Sequence, residues 1–173
     1  MAFKRQLAKG RREGGPFVPI PCSVLDHENF LALSGKASKL LLDMAAQIRF
    51  GKDGPKNNGD ITIAWSVMQQ RGWRSKETLH NAIDELEYYG FISLTRQGGR
   101  HKCSLYAITW WAVNECGGKL DSGETRVPSN DWKTAKEPRK PAKRRSSKSK
   151  SVPRLSVIGA PSIGAIKSIE EER

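Results

Sequence analysis

The stretch Arg71–Trp111, RGWRSKETLHNAIDELEYYGFISLTRQGGRHKCSLYAITWW, decides how this chain is read. Ser75 suits a helix N-cap, because a serine oxygen accepts from one of the first free backbone N–H groups. From there Leu79, Ala82, Ile83 and Leu86 recur at three- and four-residue steps, which predicts one buried face of a helix reaching Tyr89. Gly90 takes the position just past the end, where left-handed backbone costs glycine little. FISLTR and KCSLYAITWW then predict two strands around QGGRH, a hairpin whose glycines are expected at positive φ. In the second strand Tyr106, Ile108 and Trp110 share a face at period two.

Upstream, AWSVMQQ predicts a short helix with Trp65 and Met68 inward, stopped by Gly72, and ITI a short strand before it. GKDGPKNNGD, residues 51–60, is turn chemistry throughout and predicts a surface loop. GKASKLLLDMAAQIRF, capped by Ser34, predicts an amphipathic helix with Leu40, Leu41, Met44, Ala45 and Ile48 inward and Lys36, Lys39 and Asp43 opposite. Ser23 is expected to cap a shorter helix to about Leu31, after an extended PFVPIP entry. This order of elements predicts an α+β fold, a winged helix-turn-helix of three to four helices plus a β-hairpin wing, over residues 16–116. Residues 1–15 read as a basic flexible arm, 117–135 as a linker, and 136–173 as a disordered basic tail. The tail ends in two imperfect copies of a Pro–apolar–Gly pattern, VPRLSVIG and APSIGAI. They read either as a docking motif for a protein partner or as chance in a Ser/Gly/Pro/Ile-rich segment.

The formal charge of +12 over 173 residues suggests an anionic partner, but its distribution matters more. Residues 17–116 carry eleven Lys/Arg against ten Asp/Glu, whereas 133–154 carry ten against one. A nucleic-acid role for the middle must therefore come from where its charges lie. Three cysteines without a CxxC spacing fit a reducing compartment. No apolar run approaches the roughly 18–20 residues that span a bilayer, and the start lacks the apolar core of a secretory signal. The expected placement is the bacterial cytoplasm, associated with the nucleoid.

A reading helix lays its N-terminal half in the major groove, about 12 Å wide, and needs long donors there. Arg71, Arg74, Ser75, Lys76, Glu77, Thr78, His80 and Asn81 are the candidates for this surface, with Asn81 suited to adenine and Glu77 to cytosine. Asp84, Glu85 and Glu87 occupy the far half, expected to lie outside the groove. Basic residues first and acidic ones last is the reverse of what the helix dipole favours, which reads as a mark of function. In the wing Arg96, Arg100, His101 and Lys102 suit backbone or minor-groove contact. In the tail Lys140, Lys143, Arg144, Arg145, Lys148 and Lys150 suit non-specific phosphate contact.

Phosphate-loop, nucleophile-elbow and HExxH motifs are missing from the sequence. Neither Asp84 with Glu87 nor His101 with Cys103 completes a metal spacing. The expectation is no catalysis, no cofactor and no metal.

FLALSGKASKLLLDM, KNNGDI and SKETLHNAIDELEYYGFI together resemble the N-terminal winged-helix domain of lambda O-type phage replication proteins. They also resemble small helix-turn-helix proteins of proteobacterial prophages and mobile elements. The resemblance covers about residues 16–116 and implies sequence-specific binding of double-stranded DNA at a regulatory site or origin. Ser75, Lys76, Thr78, His80 and Asn81 would take the reading positions. The residues after Cys116 do not resemble a helicase-loading region, which favours a regulator over an initiator. A protein-interaction adaptor tethered to nucleic acid by its tail is the alternative of another class, and a homodimer is left open.

Overall fold

A computed structural model describes residues 17–139 of the chain. It is an α+β structure with short helices and small antiparallel sheets. The helices are α1 (Cys22–Leu25), α2 (Glu28–Leu31), α3 (Gly35–Ala45), α4 (Trp65–Gln70) and α5 (Lys76–Tyr88). The strands are β1 (Phe50–Gly51), β2 (Gly54–Pro55), β3 (Ile61–Thr62), β4 (Ile92–Arg96) and β5 (Leu105–Ile108). β1 pairs with β2, and the larger sheet has the order β3-β5-β4.

The two helices that set the core follow their sequence pattern. Ser34 Oγ accepts from Ala37 N at 3.2 Å to start α3, and Ser75 Oγ accepts from Thr78 N at 3.3 Å to start α5. Their apolar faces, Leu40, Leu41, Met44 and Ala45 against Leu79, Ala82, Ile83 and Leu86, are buried together with Met68, Phe91, Ile92 and Ile108. Gly72 and Gly90 hold φ of 84° and 75°, the left-handed backbone that ends each preceding helix.

Several expectations are corrected. Ser23 caps nothing: α1 starts from Pro21, and α2 is a separate turn whose cap is His27, with Nδ1 accepting from Asn29 N at 3.2 Å. α3 stops at Ala45 rather than reaching Phe50, and Gln47, just past its end, is taken by tertiary partners. Its side-chain amide bonds both the N–H and the C=O of Thr62, at 3.2 and 3.1 Å, closing the open edge of β3. The glycines of the hairpin have no positive φ. A two-residue tip, Arg100–His101, is closed instead by the Gly99–Lys102 bridge. Gly98 is needed for closeness, since a Cβ there would come within 2.7 Å of Ser104 N and Oγ.

The 51–60 segment is not all surface loop. Asn58 is fully buried, and its amide accepts from Ile108 N at 2.8 Å while donating to the carbonyls of Ile108, Trp111 and Ala112. Neighbouring Asn57 accepts from Arg49 N and donates to Gln47 O, so the turn is closed by side chains on both flanks. The sheet is correspondingly covered on both faces, with Leu105, Tyr106, Ala107 and Ile108 all buried.

What covers the outer face is the segment expected to be a linker. Asp121 N and Ser122 N donate to Thr95 O, Thr125 N to Val113 O, and Asn130 N to Thr109 O. Thr95 lies at a bulge in β4, which turns its hydroxyl to Gly59 O at 2.7 Å. Trp132 is only 4% exposed and meets the His27 ring edge-on at 5.2 Å. The packed unit therefore runs past Cys116 to Arg139, and the first residues of the expected tail, 136–139, belong to it. The arm 1–15 and the tail from residue 140 lie outside the described residues.

Candidate nucleic-acid interface

Because α5 buries Leu79, Ala82, Ile83 and Leu86, its opposite side presents Lys76, Glu77, His80, Asn81 and Asp84 to solvent, and Thr78 is half-buried. Arg74 and Ser75, just before the first turn, are exposed as well. The sequence did not reveal what α3 brings to the same place. Lys36 and Lys39 line a depression of about 380 Å³ with Gly72, Trp73, Arg74, Ser75 and Thr78. Three cationic side chains, two hydroxyls and the start of a 13-residue helix thus converge. Lys36, Arg74, Glu77 and His80 hold no side-chain hydrogen bond or ion pair among the described residues. Lys76 extends over the Trp65 ring, 5.7 Å from its centroid.

Arg71 does a different job from the one its sequence position suggests. Its guanidinium pairs with Asp43 at 3.7 Å, and its carbonyl accepts from Lys39 Nζ at 3.0 Å. Asp43 also accepts from Trp73 Nε1 at 2.8 Å and from Lys39 Nζ at 2.5 Å. One carboxylate therefore clamps the turn between α4 and α5 onto α3. Replacing it by alanine is expected to cost about 1.5–3 kcal/mol, the range for a hydrogen bond to a charged group. The exposed lysine pair adds little to this. Chemical denaturation of Asp43→Ala checks it, and a change below about 0.5 kcal/mol, the size of an ordinary surface substitution, would dismiss the clamp.

The β4–β5 hairpin divides similarly. Arg100 and His101 stand exposed at the tip, and Lys102 beside them. Arg96 turns back on its own hairpin, donating to Cys103 O at 3.0 and 3.3 Å and to Lys119 O at 3.4 Å. Arg71 and Arg96 are thus bracing residues, and the exposed candidates are Arg74, Ser75, Lys76, Glu77, His80, Asn81 and the hairpin residues Arg100, His101 and Lys102.

The acidic half of α5 is explained by its neighbours, which removes charge polarity as a mark of function. Glu85 accepts from the N–H and the hydroxyl of Ser34, placing a carboxylate at the start of α3, where the helix dipole favours it. Asp84 pairs with Arg139 at 3.5 Å, and Arg139 also donates to Asn81 O at 3.2 Å. Lys136 Nζ donates to Tyr88 O, a cation on the last carbonyls of α5. Burial, then the charge of Asp84, raises the Glu87 carboxyl above its usual range. The Tyr106 phenol is raised by burial first and then by Glu87. Cys116 is half-buried, and burial pushes its thiol up, whereas Cys22 and Cys103 are exposed.

Lys140, Lys143, Arg144, Arg145, Lys148 and Lys150 lie outside the described residues. Among the described residues no helix is long and apolar enough to cross a membrane. No family model, curated protein or solved structure matches the chain.

Proposed function

We propose that residues 17–139 form a winged helix-turn-helix that binds double-stranded DNA in a sequence-specific way. α4 and α5 are its helix-turn-helix, and the β4–β5 hairpin is its wing. The order helix α3, strand β3, helices α4 and α5, then β4 and β5 in a β3-β5-β4 sheet supports this reading of the fold. The observation that carries the function is the convergence of Lys36, Lys39 and Arg74 on the start of a helix whose Lys76, Glu77, His80 and Asn81 are exposed. A backbone phosphate held there by cations and free N–H groups would seat the first two turns of α5 in the major groove. Lys76, Glu77, His80 and Asn81 would then meet base edges, and Arg100, His101 and Lys102 the flanking backbone. The resemblance read from the sequence supports a regulator of a phage or mobile element as the form this protein takes.

Selection of bound duplexes from a random pool, with the full chain, tests the proposal. Enrichment of one sequence family is expected, and an unenriched pool would end it. Lys36→Ala with Arg74→Ala is expected to weaken binding to all duplexes alike and to make the log K against log salt slope shallower by about 2. Asn81→Ala should instead relax the preference at one adenine by about 1–3 kcal/mol. Binding isotherms across salt and competitor sequences separate the two effects.

A further inference from the structure

The last described residues, 132–139, meet the second half of α5 and bring a cation to its exposed side. Asn29, fully buried in α2, donates to Trp132 O and Thr134 O, both at 2.8 Å, and accepts from Lys136 N at 3.0 Å. Lys136 Nζ donates to Tyr88 O, the Tyr88 hydroxyl donates to Glu137 O at 3.2 Å, and Arg139 N donates to the Tyr89 hydroxyl at 2.9 Å. The segment is thus held up to Arg139 by contacts that do not use the Arg139 side chain. That side chain extends back along α5. One guanidinium nitrogen donates to Asn81 O at 3.2 Å, and another lies 3.5 Å from the Asp84 carboxylate. With side-chain exposures of 28% and 56%, this ion pair adds little to the stability of the fold. It does hold the guanidinium beside Asn81, in the row that also presents Lys76, Glu77 and His80.

We propose that Arg139 contacts a DNA phosphate on the strand opposite the one met by Lys36 and Arg74, so that the exposed row of α5 is held between two anchors. The inference rests on the DNA-binding reading above and adds to it a residue from outside α4, α5 and the hairpin. The first anchor lies at Ser75, the second between Asn81 and Asp84. At about 1.5 Å per residue, Ser75 is about 9 Å from Asn81 and about 14 Å from Asp84 along the helix axis. That span is comparable with the major groove, about 12 Å wide between the two backbones that wall it. A guanidinium carries five N–H donors in a fixed fork, so the contacts to Asn81 O and Asp84 leave donors for a phosphate oxygen. The pairing also offsets the charge of Asp84, which would otherwise repel a phosphate at this end of the row.

The full chain carrying Arg139→Ala tests this on the duplex obtained by selection. Alanine keeps the backbone bond from residue 139 to the Tyr89 hydroxyl, so the domain stays folded. The plot of log K against log salt should become shallower by about 0.9, the value for one phosphate contact on duplex DNA. The wild-type advantage should accordingly shrink about three- to fourfold between about 50 and 200 mM salt, with the preferred sequence unchanged. Replacing phosphates one at a time by uncharged methylphosphonates then locates the contact. One replacement should weaken binding of the wild type and leave Arg139→Ala unaffected. That phosphate should lie on the opposite strand from those to which Lys36→Ala with Arg74→Ala has become insensitive. An unchanged salt slope, an unchanged set of sensitive phosphates, or both sets on one strand would overturn the proposal while leaving sequence-specific binding in place. A full chain that prefers no duplex over random competitor would overturn both.

Discussion

Ending the chain after Cys116 is expected to unfold the domain, whereas ending it after Arg139 leaves it folded. Residue 116 is where hydrophobic periodicity stops, so it is the natural place to cut from sequence alone. Yet Trp132 beyond it is 4% exposed and belongs to the same core as Leu86, Phe91 and Ile108. Burying an aromatic side chain of about 150–250 Å² at roughly 25 cal/mol per Å² is worth about 4–6 kcal/mol, as an upper bound. The cut also uncovers Leu105 and Ala107 on the outer sheet face, and it removes the donors on Thr95 O and Thr109 O. A loss of this size matches the lower part of the 5–15 kcal/mol range of total domain stability. Thermal unfolding of chains 1–116 and 1–139 should give no cooperative transition for the first and a normal one for the second. Equal midpoints would show that the 117–139 segment rests on the fold without supporting it. Within the longer chain Trp132→Phe should be far milder than Trp132→Ala, because the Trp132 indole N–H has no acceptor to lose.

What the sequence could convey follows from how local each cause is. The N-caps Ser34 and Ser75, the apolar steps of α3 and α5 and the stop at Gly90 depend on residues a few positions apart, and the structure has them. The acids of α5 were legible as acids, but their partners Ser34 and Arg139 lie 51 and 55 positions away, so their roles were not. Trp132 stands alone in a polar stretch, where no periodicity announces a core residue. The candidate site divides along the same line. Arg74, Ser75, Lys76, His80 and Asn81 were marked by their place on one helix. That Lys36 and Lys39 join them, and that Arg71 and Arg96 are already engaged, depends on how separate elements pack.

Asn58→Ala is expected to be the most damaging substitution of a polar residue, at about 3–4 kcal/mol. The usual cost of leaving a buried backbone group without its partner is about 1–3 kcal/mol, and this side chain serves four such groups. Its Oδ1 takes the N–H of Ile108, and its Nδ2 lies 3.0–3.1 Å from the carbonyls of Ile108, Trp111 and Ala112. The end of β5 leaves the sheet at this point, so no neighbouring strand offers those groups a ladder partner. An alanine leaves the Ile108 N–H and the carbonyls of Trp111 and Ala112 without this partner, whereas Ile108 O keeps the Trp111 N–H at 3.3 Å. Aspartate has the same shape and is informative for that reason: its second oxygen would face three carbonyl oxygens with no proton to share. Asn58→Asp should therefore be at least as destabilising as Asn58→Ala at neutral pH, although it conserves volume and the bond to Ile108 N. Urea unfolding of the two variants at pH 7 decides it. A well-tolerated aspartate would mean that the amide protons are dispensable and that Asn58 acts by filling space. Since Asn58 lies on the sheet side of the fold, away from the proposed reading row on α5, a partial loss should lower the unfolding midpoint before it alters any preference among duplexes.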